Sequence, residues 1–278
     1  GFSYKETMQK PIDSKPFLPS MDLAKYDKDS KELSVIDIYK IIWDGSFPKL
    51  LTDPKRDRKS FYRSYLQTYI ERDIKDFQGI SNELKFYDFI RAVSARTANL
   101  LNYNELAKDV DIDVRTAKLW LSALERSGMV KLLEPYYANI TKRIIKTPKI
   151  YFLDTGLCAY LTAWDSPESL MNGAMNGAIL ETYVFTEILK SYWHNGDEAN
   201  IFFYRDTDQR EIDFVIEKNM TLYPMDVKKT ASPSKADMRA FKQLQKLNKK
   251  VGDGAVICLY PTPIPIDTNV LSFPVWEI

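Results

Sequence analysis

The chain has 278 residues, and its 39 basic and 38 acidic side chains leave a formal net charge of +1, which excludes nucleic-acid binding through bulk charge alone. The only histidine is His194, so a zinc site built on histidines and a Ser-His-Asp triad are both excluded. None of the ten glycines is followed by lysine, which excludes a GxxxxGK phosphate-binding loop and therefore ATP hydrolysis by this chain alone.

Residues 1–80 are predicted to form a connector and a helical, lid-like segment. The first 20 residues carry three prolines, which favour an extended connector, and they lack the apolar region of a signal peptide. The first residue is glycine rather than methionine, which suggests a fragment of a longer protein. Helices are predicted at Leu33–Trp43 and Ser60–Phe77. In the second helix, one apolar stripe at helical spacing comprises Tyr62, Tyr65, Leu66 and Tyr69.

Residues 81–160 are predicted to form a winged helix, which is a helix-turn-helix followed by a β-hairpin. Asn104 and Asp113 are the expected N-caps of the two short helices, and Gly128 is expected to end the second. The predicted helices are Leu84–Leu101, Glu105–Val110 and a helix from Asp113 to about Ser127, and the predicted strands are Met129–Pro135 and Ile144–Phe152.

The second helix of this pair has an apolar and a basic face when projected at 100° per residue. The apolar stripe comprises Val114, Ala117, Trp120, Leu121 and Leu124. The polar face comprises Arg115, Lys118, Ser122 and Arg126. The hairpin adds Lys142, Arg143, Lys146 and Lys149. A basic recognition helix and wing predict contacts with DNA phosphates, whereas ordinary solvated charges and the outward Leu119 favour a protein adaptor.

Residues 161–278 are predicted to form an αβββαβ domain, so that the whole chain is of the mixed α/β class. The expected helices are Gly177–Tyr192 and Lys235–Asn248, and the expected strands are Ile201–Tyr204, Glu211–Glu217, Thr221–Lys228 and Ala255–Tyr260. In the EIDFVIE strand, alternation places Ile212, Phe214 and Ile216 on one face, and Glu211, Asp213 and Val215 on the other.

Acidic side chains in this domain suggest a metal site. Glu181 lies on the apolar stripe of its helix, where a carboxylate needs a partner, and Glu187 projects away from that stripe. Asp213 lies on one strand, and Asp226 and Lys228 share one side of the next. Carboxylates can hold Mg²⁺ or Mn²⁺ for phosphodiester cleavage, and a nearby lysine can orient water or offset transition-state charge.

The pattern of Asp213 and Asp226-Val-Lys228, with Glu181 upstream, resembles the PD-(D/E)XK nuclease superfamily. This resemblance implies a restriction-endonuclease-like fold in which Glu181, Asp213 and Asp226 are metal ligands and, with Lys228, form the catalytic site. A wider resemblance, through SYLQTYIERDI, LLNYNELAKDV, PYYANITKRIIKTPKIYFLDTGL, EIDFVIE and MDVKK, is to the C-terminal region of bacterial and archaeal AAA-type ATP-binding proteins. That family usually has Glu-x-Lys where this chain has Asp226-Val-Lys228, and it implies a P-loop ATPase module in the same polypeptide.

Two functions therefore remain open. The first is a Mg²⁺-dependent DNA nuclease guided by the winged helix, and the second is a non-catalytic DNA- or protein-binding adaptor of an ATPase switch. No apolar stretch approaches the roughly 18 residues of a membrane span. Cys158 and Cys258 lie in apolar runs and are expected to be buried free thiols of a cytoplasmic protein.

Overall fold

A computed structural model describes residues 1–13, 15–23, 32–53, 55–70, 82–137 and 147–278. These residues separate into two compact units. The described parts of the first unit are Gly1–Phe2, residues 39–53, 55–70 and 82–132, and Thr147–Thr182. Those of the second unit are residues 3–13, 15–23, 32–38, 133–137 and Tyr183–Ile278. The structure is of the mixed α/β class, as predicted.

The α-helices and strands are numbered in chain order over the described residues. The helices are α1 Tyr4–Thr7, α2 Val35–Asp44, α3 Pro48–Leu51, α4 Arg58–Thr68, α5 Glu83–Ser94, α6 Tyr103–Val110, α7 Val114–Arg126, α8 Thr155–Leu161, α9 Pro167–Asn172 and α10 Asn176–His194. The strands are β1 Asn99–Leu100, β2 Val130–Leu133, β3 Lys149–Phe152, β4 Ile201–Arg205, β5 Glu211–Lys218, β6 Thr221–Lys228, β7 Lys250–Val251, β8 Gly254–Cys258, β9 Ile264–Asp267 and β10 Val270–Pro274.

The order α5-β1-α6-α7-β2-β3 is that expected of a winged helix, with a three-stranded sheet in the order β1-β3-β2. The Asp113 side chain caps α7 by accepting a hydrogen bond from the Thr116 amide, as predicted. The cap of α6 is Asn102 and not the predicted Asn104, because the Asn102 carboxamide accepts from the amides of Asn104 and Glu105. Gly128 adopts a φ of +70° just after α7, a conformation that favours glycine.

The core of the winged-helix part is built on the predicted apolar stripe of α7. The Trp120 ring packs edge-to-face against Phe86 and Phe89 of α5, with centroids 5.2 and 5.5 Å apart. Four of the five predicted stripe residues are buried, and they are Ala117, Trp120, Leu121 and Leu124. Val114, the fifth, is 36% exposed, so its assignment to the core was wrong. Val114 is the first residue of α7, so no preceding helical turn covers its side chain.

The second unit contains a sheet in the order β4-β5-β6-β8-β10-β9, with β7 paired to β6. Strands β4, β5 and β6 are antiparallel neighbours, whereas β6, β8 and β10 run parallel to one another. A 3-10 helix at Lys235–Leu247 buries Met238, Phe241 and Leu244 against this sheet. The predicted order from α10 to β8 is therefore present.

Several predicted boundaries and element types were wrong. The helix predicted to reach Leu101 ends at Ser94, and Ala98 adopts a φ of +61° before β1 begins. The element predicted as a helix at Lys235–Asn248 is a 3-10 helix, and β9 and β10 had not been predicted at all. Parts of the predicted helix Ser60–Phe77 and of the wing, including Lys142, Arg143 and Lys146, lie outside the described residues.

Candidate functional site

The second unit brings Asp213, Asp226 and Lys228 together at one end of the β5–β6 pair. The β5–β6 register pairs Phe214 with Met225, so the next position along the ladder sets Asp213 opposite Asp226. The carboxyl end of β6 also lies beside β8, which it pairs with in parallel through Asp226 and Lys228. The predicted juxtaposition of these three side chains follows from this register.

A β-bulge lies at the position of Asp213. The β4–β5 ladder pairs Phe202 with Val215 and then Tyr204 with Ile212, so that one residue of β4 faces two residues of β5. The two residues are Asp213 and Phe214. Bulges concentrate next to active sites, where they turn a side chain in a new direction. The bulge also explains why Ile212 and Val215, which strict alternation places on opposite faces, belong to the same hydrophobic cluster.

Each carboxylate is held by a backbone amide of the opposite strand. The Asp213 amide donates to Asp226 Oδ1 over 3.0 Å, and the Val227 amide donates to Asp213 Oδ2 over 2.8 Å. The two side chains are 12% and 4% exposed. Burying a carboxylate is costly unless it is hydrogen-bonded, and these reciprocal bonds fix both acids in one orientation.

Lys228 supplies positive charge next to the two acids. Its Nζ atom lies 3.7 Å from Asp213 Oδ2 and 3.8 Å from Asp226 Oδ2, and its side chain is 36% exposed. These distances correspond to loose ion pairs and not to short hydrogen bonds. Two acids and one lysine therefore form a cluster with an excess of carboxylate charge.

Glu181 has partners of its own in the first unit. Glu181 Oε1 lies 2.9 Å from Lys149 Nζ and accepts a hydrogen bond from the Tyr151 hydroxyl over 2.5 Å. Strand β3 therefore supplies the partners that this acid is predicted to need on its apolar face. Lys149 itself is buried, so its assignment to an exposed basic wing was wrong. Its ammonium is held inside by the Glu181 carboxylate.

The three predicted carboxylate ligands are divided between the two units. Within the described residues, no three or more histidine, cysteine, aspartate or glutamate side chains are arranged to hold a metal ion. Asp213 and Asp226 belong to the second unit, whereas Glu181 belongs to the first. The group that the structure does form consists of two carboxylates and a lysine.

Most of the α7 side chains that are predicted to contact DNA are exposed. Arg115, Lys118 and Arg126 are exposed, and Ser122 is half-buried. Lys118 Nζ also lies 5.5 Å from the centre of the Tyr103 ring, a distance at which cation and ring attract each other. The two other predicted contacts, Lys142 and Arg143, lie outside the described residues.

Sequence reasoning missed a buried ion pair on α10. Glu187 Oε1 lies 2.8 Å from Lys190 Nζ, and both side chains are almost fully buried. The other carboxylate oxygen accepts from the Tyr4 amide over 2.8 Å and so fixes helix α1. Glu187 had been predicted to project away from the apolar face, but α10 is buried on several sides along Thr182–Lys190. The sequence signal for this ion pair is an acid three residues before a lysine, a spacing that places both side chains on one side of a helix.

Comparisons with known proteins support a two-part chain. Models of two domains of unknown function match it, DUF8612 over residues 36–168 and DUF4143 over residues 176–278. The chain is similar to the uncharacterized proteins Mb2031c of Mycobacterium bovis and Rv2008c of Mycobacterium tuberculosis, each 28% identical over 200 residues. These matches cover 68% of the chain and 42% of each relative, so the chain matches less than half the length of these relatives. No solved structure matches it. None of the described helices has the length and apolar character needed to cross a membrane.

Proposed function

We propose that the chain is the nuclease-like C-terminal region of an AAA-type ATP-binding protein, acting on DNA with Mg²⁺ or Mn²⁺. The observation that carries this proposal is the grouping of Asp213, Asp226 and Lys228 at the end of the β5–β6 pair, beside a β-bulge. The larger size of the relatives supports it, since they have room for a P-loop module outside the matched region.

The donor chemistry of the cluster fits a hard divalent cation. Asp213 and Asp226 provide carboxylate oxygens, and Mg²⁺ is commonly held in proteins by one or two carboxylates together with water and substrate phosphate. When bound, such a cation polarises a phosphate group and lowers the pKa of a bound water. Glu181 is left out of this ligand set because Lys149 and Tyr151 already engage it.

The chain's own residues prepare the site for phosphate chemistry. The amides of Asp213 and Val227 hold the two carboxylates in fixed orientations before any ligand arrives. Lys228 is the group placed to orient a water molecule or to offset charge that develops on the phosphate. Its ion pairs with the two acids are long, and if Asp213 and Asp226 held a cation, the ammonium would be placed to contact a phosphate.

The test is cleavage of plasmid and single-stranded DNA in the presence of Mg²⁺ or Mn²⁺. Asp213→Asn and Lys228→Met should abolish cleavage. Asp208→Asn is the matched control, because this aspartate is 62% exposed and lies in the turn before β5. Cleavage by wild type that Asp213→Asn leaves unchanged would refute the assignment of the site.

A second candidate, a non-catalytic adaptor, is favoured by the surface of α7. Leu119 is 42% exposed and Val114 is 36% exposed on this helix, and apolar groups on a recognition helix suit contact with a protein. The adaptor is distinguished by binding of duplex DNA at low salt. For phosphate contacts, Arg115→Gln should reduce the salt slope by roughly one, whereas an adaptor would show no measurable duplex affinity.

A further inference from the structure

The first unit contains a basic cleft of about 280 Å³ that is lined by none of the site residues proposed above. Its walls come from α4, α5 and α8, together with the turn that follows α8. The volume is close to the lower end of the range of small-molecule sites, roughly 300–1,000 Å³. The cleft can therefore take a ligand of modest size or one unit of a longer chain.

The charge of the lining is strongly positive, although the chain as a whole is nearly neutral. Four cationic side chains face one carboxylate, Asp165, among the described residues that line the cleft. The cationic residues are Arg58, Lys59, Arg63 and Arg91. The Lys59–Asp165 pair is 3.4 Å long, and Arg91 also pairs with Asp88, one turn earlier on α5, at 3.8 Å. Both pairs are mostly exposed, so they neutralise little of this charge.

The arrangement of these cations favours a bound anion. Lys59 and Arg63 lie one turn apart on α4, and like charges at this spacing destabilise a helix. Arg91 approaches from α5, where it donates to the Leu161 carbonyl over 3.4 Å. Arg58 is immobilised, because its guanidinium stacks on the Trp43 ring at 3.8 Å and donates to the carbonyls of Trp43 and Gly156. Cations that converge from separate helices repel one another unless an anion lies between them.

Aromatic side chains share the lining with the cations. Tyr87, Tyr160 and Trp164 all contribute to the cleft, and Tyr87 is half-buried. Burial raises the pKa of Tyr87, so its hydroxyl keeps its proton at neutral pH and can donate a hydrogen bond. Aromatic rings beside arginines are the combination that binds stacked bases and their phosphates, whereas an acidic peptide needs the charges alone.

We propose that this cleft binds a nucleotide unit of single-stranded nucleic acid, with the phosphate near Arg63 and Arg91 and the base against the Tyr87 ring. The same chemistry would admit a free nucleotide, which is the second possible source of the ligand. This site shares no residue with the proposed nuclease site or with the basic face of α7, and the proposal does not depend on either.

The test measures binding of a short fluorescein-labelled oligothymidylate to the full chain by fluorescence anisotropy, with AMP and a short polyglutamate peptide as competitors. The Arg63→Gln/Arg91→Gln double variant should weaken binding by roughly tenfold or more and reduce the salt slope by about 1.4, which is about 0.7 for each lost charge. Tyr87→Leu should weaken it by roughly tenfold through loss of stacking. Lys246→Gln, an exposed cation of the second unit, is the matched control and should change nothing.

The outcomes separate the possible ligands. Competition by AMP at comparable affinity identifies a free nucleotide, and much tighter binding of the oligonucleotide identifies a strand; both support the proposal. Equal competition by polyglutamate, or binding that the double variant leaves unchanged, would overturn it. Asp213→Asn should bind the oligonucleotide normally, so failure of the proposed nuclease activity leaves this result interpretable.

Discussion

Glu181→Gln tests whether the acid on α10 is a structural partner or a metal ligand. The substitution keeps an acceptor oxygen near the Tyr151 hydroxyl but removes the charge that lies 2.9 Å from the Lys149 ammonium, whose side chain is only 4% exposed. Removing one partner of a buried pair costs roughly 3–5 kcal/mol. The retained hydrogen bond recovers roughly 1 kcal/mol. We therefore expect the free energy of unfolding to fall by about 2–4 kcal/mol without metal.

The assay is thermal unfolding of both proteins with and without Mg²⁺. At roughly 2–4 °C per kcal/mol, a loss of about 2–4 kcal/mol should lower the unfolding midpoint of the variant by about 4–16 °C. Glu125→Gln, an exposed acid on α7, should stay within about 0.5 kcal/mol of wild type. An unchanged or higher midpoint without metal, together with loss of stabilisation by Mg²⁺, would refute the structural role and identify Glu181 as a ligand.

Three further outcomes follow from the packing. Asp154 caps α8 and accepts hydrogen bonds from the Ser46 amide and the Tyr62 hydroxyl. Asp154→Ala should therefore lower the free energy of unfolding in urea by about 3–5 kcal/mol. A loss as small as that of Asp165→Ala, at an exposed aspartate, would contradict this. Ala163 has a φ of +60°, so Ala163→Gly should raise the free energy of unfolding in urea by about 0.5–1 kcal/mol. A lower free energy of unfolding would exclude backbone strain at this position. Burial raises the pKa of both Cys158 and Cys258, so a thiol reagent at neutral pH should react with them only after unfolding; rapid labelling of the native protein would show that they are accessible.

Local signals in the sequence predicted the elements that local chemistry determines. The Asp113 cap, Gly128 after α7 and the apolar stripe containing Trp120 all correspond to structural features. The burial of Lys149 could not be predicted in this way, because its partner Glu181 lies 32 residues away in the chain. A basic residue is normally assigned to the surface unless its counter-charge is known.

Proline and the β-bulge explain two other failures. Strand β9 contains Pro265, and a proline within a short run argues against a strand unless it lies at an edge of the sheet. Among the described strands, the sheet order places β9 at the edge, next to β10. In β5 the bulge opposite Phe203 interrupts the two-residue alternation. Ile212 and Val215, which alternation assigns to opposite faces, therefore belong to one hydrophobic cluster. Both features depend on strand pairing, which a single strand does not reveal.

The bulge and the acidic pair together bear on whether the β5–β6 end is a site or only scaffold. Two carboxylates on facing positions of a sheet repel each other, and like charges directly opposite destabilise the pairing. The repulsion between the carboxylates of Asp213 and Asp226 is partly offset by backbone amides and by Lys228. Apolar residues could close this sheet end with less opposition, so the acidic pair supports the proposed cation site. A site for a divalent cation requires carboxylates that are fixed in one geometry although they repel each other. A bound cation would remove this repulsion and so stabilise the folded protein.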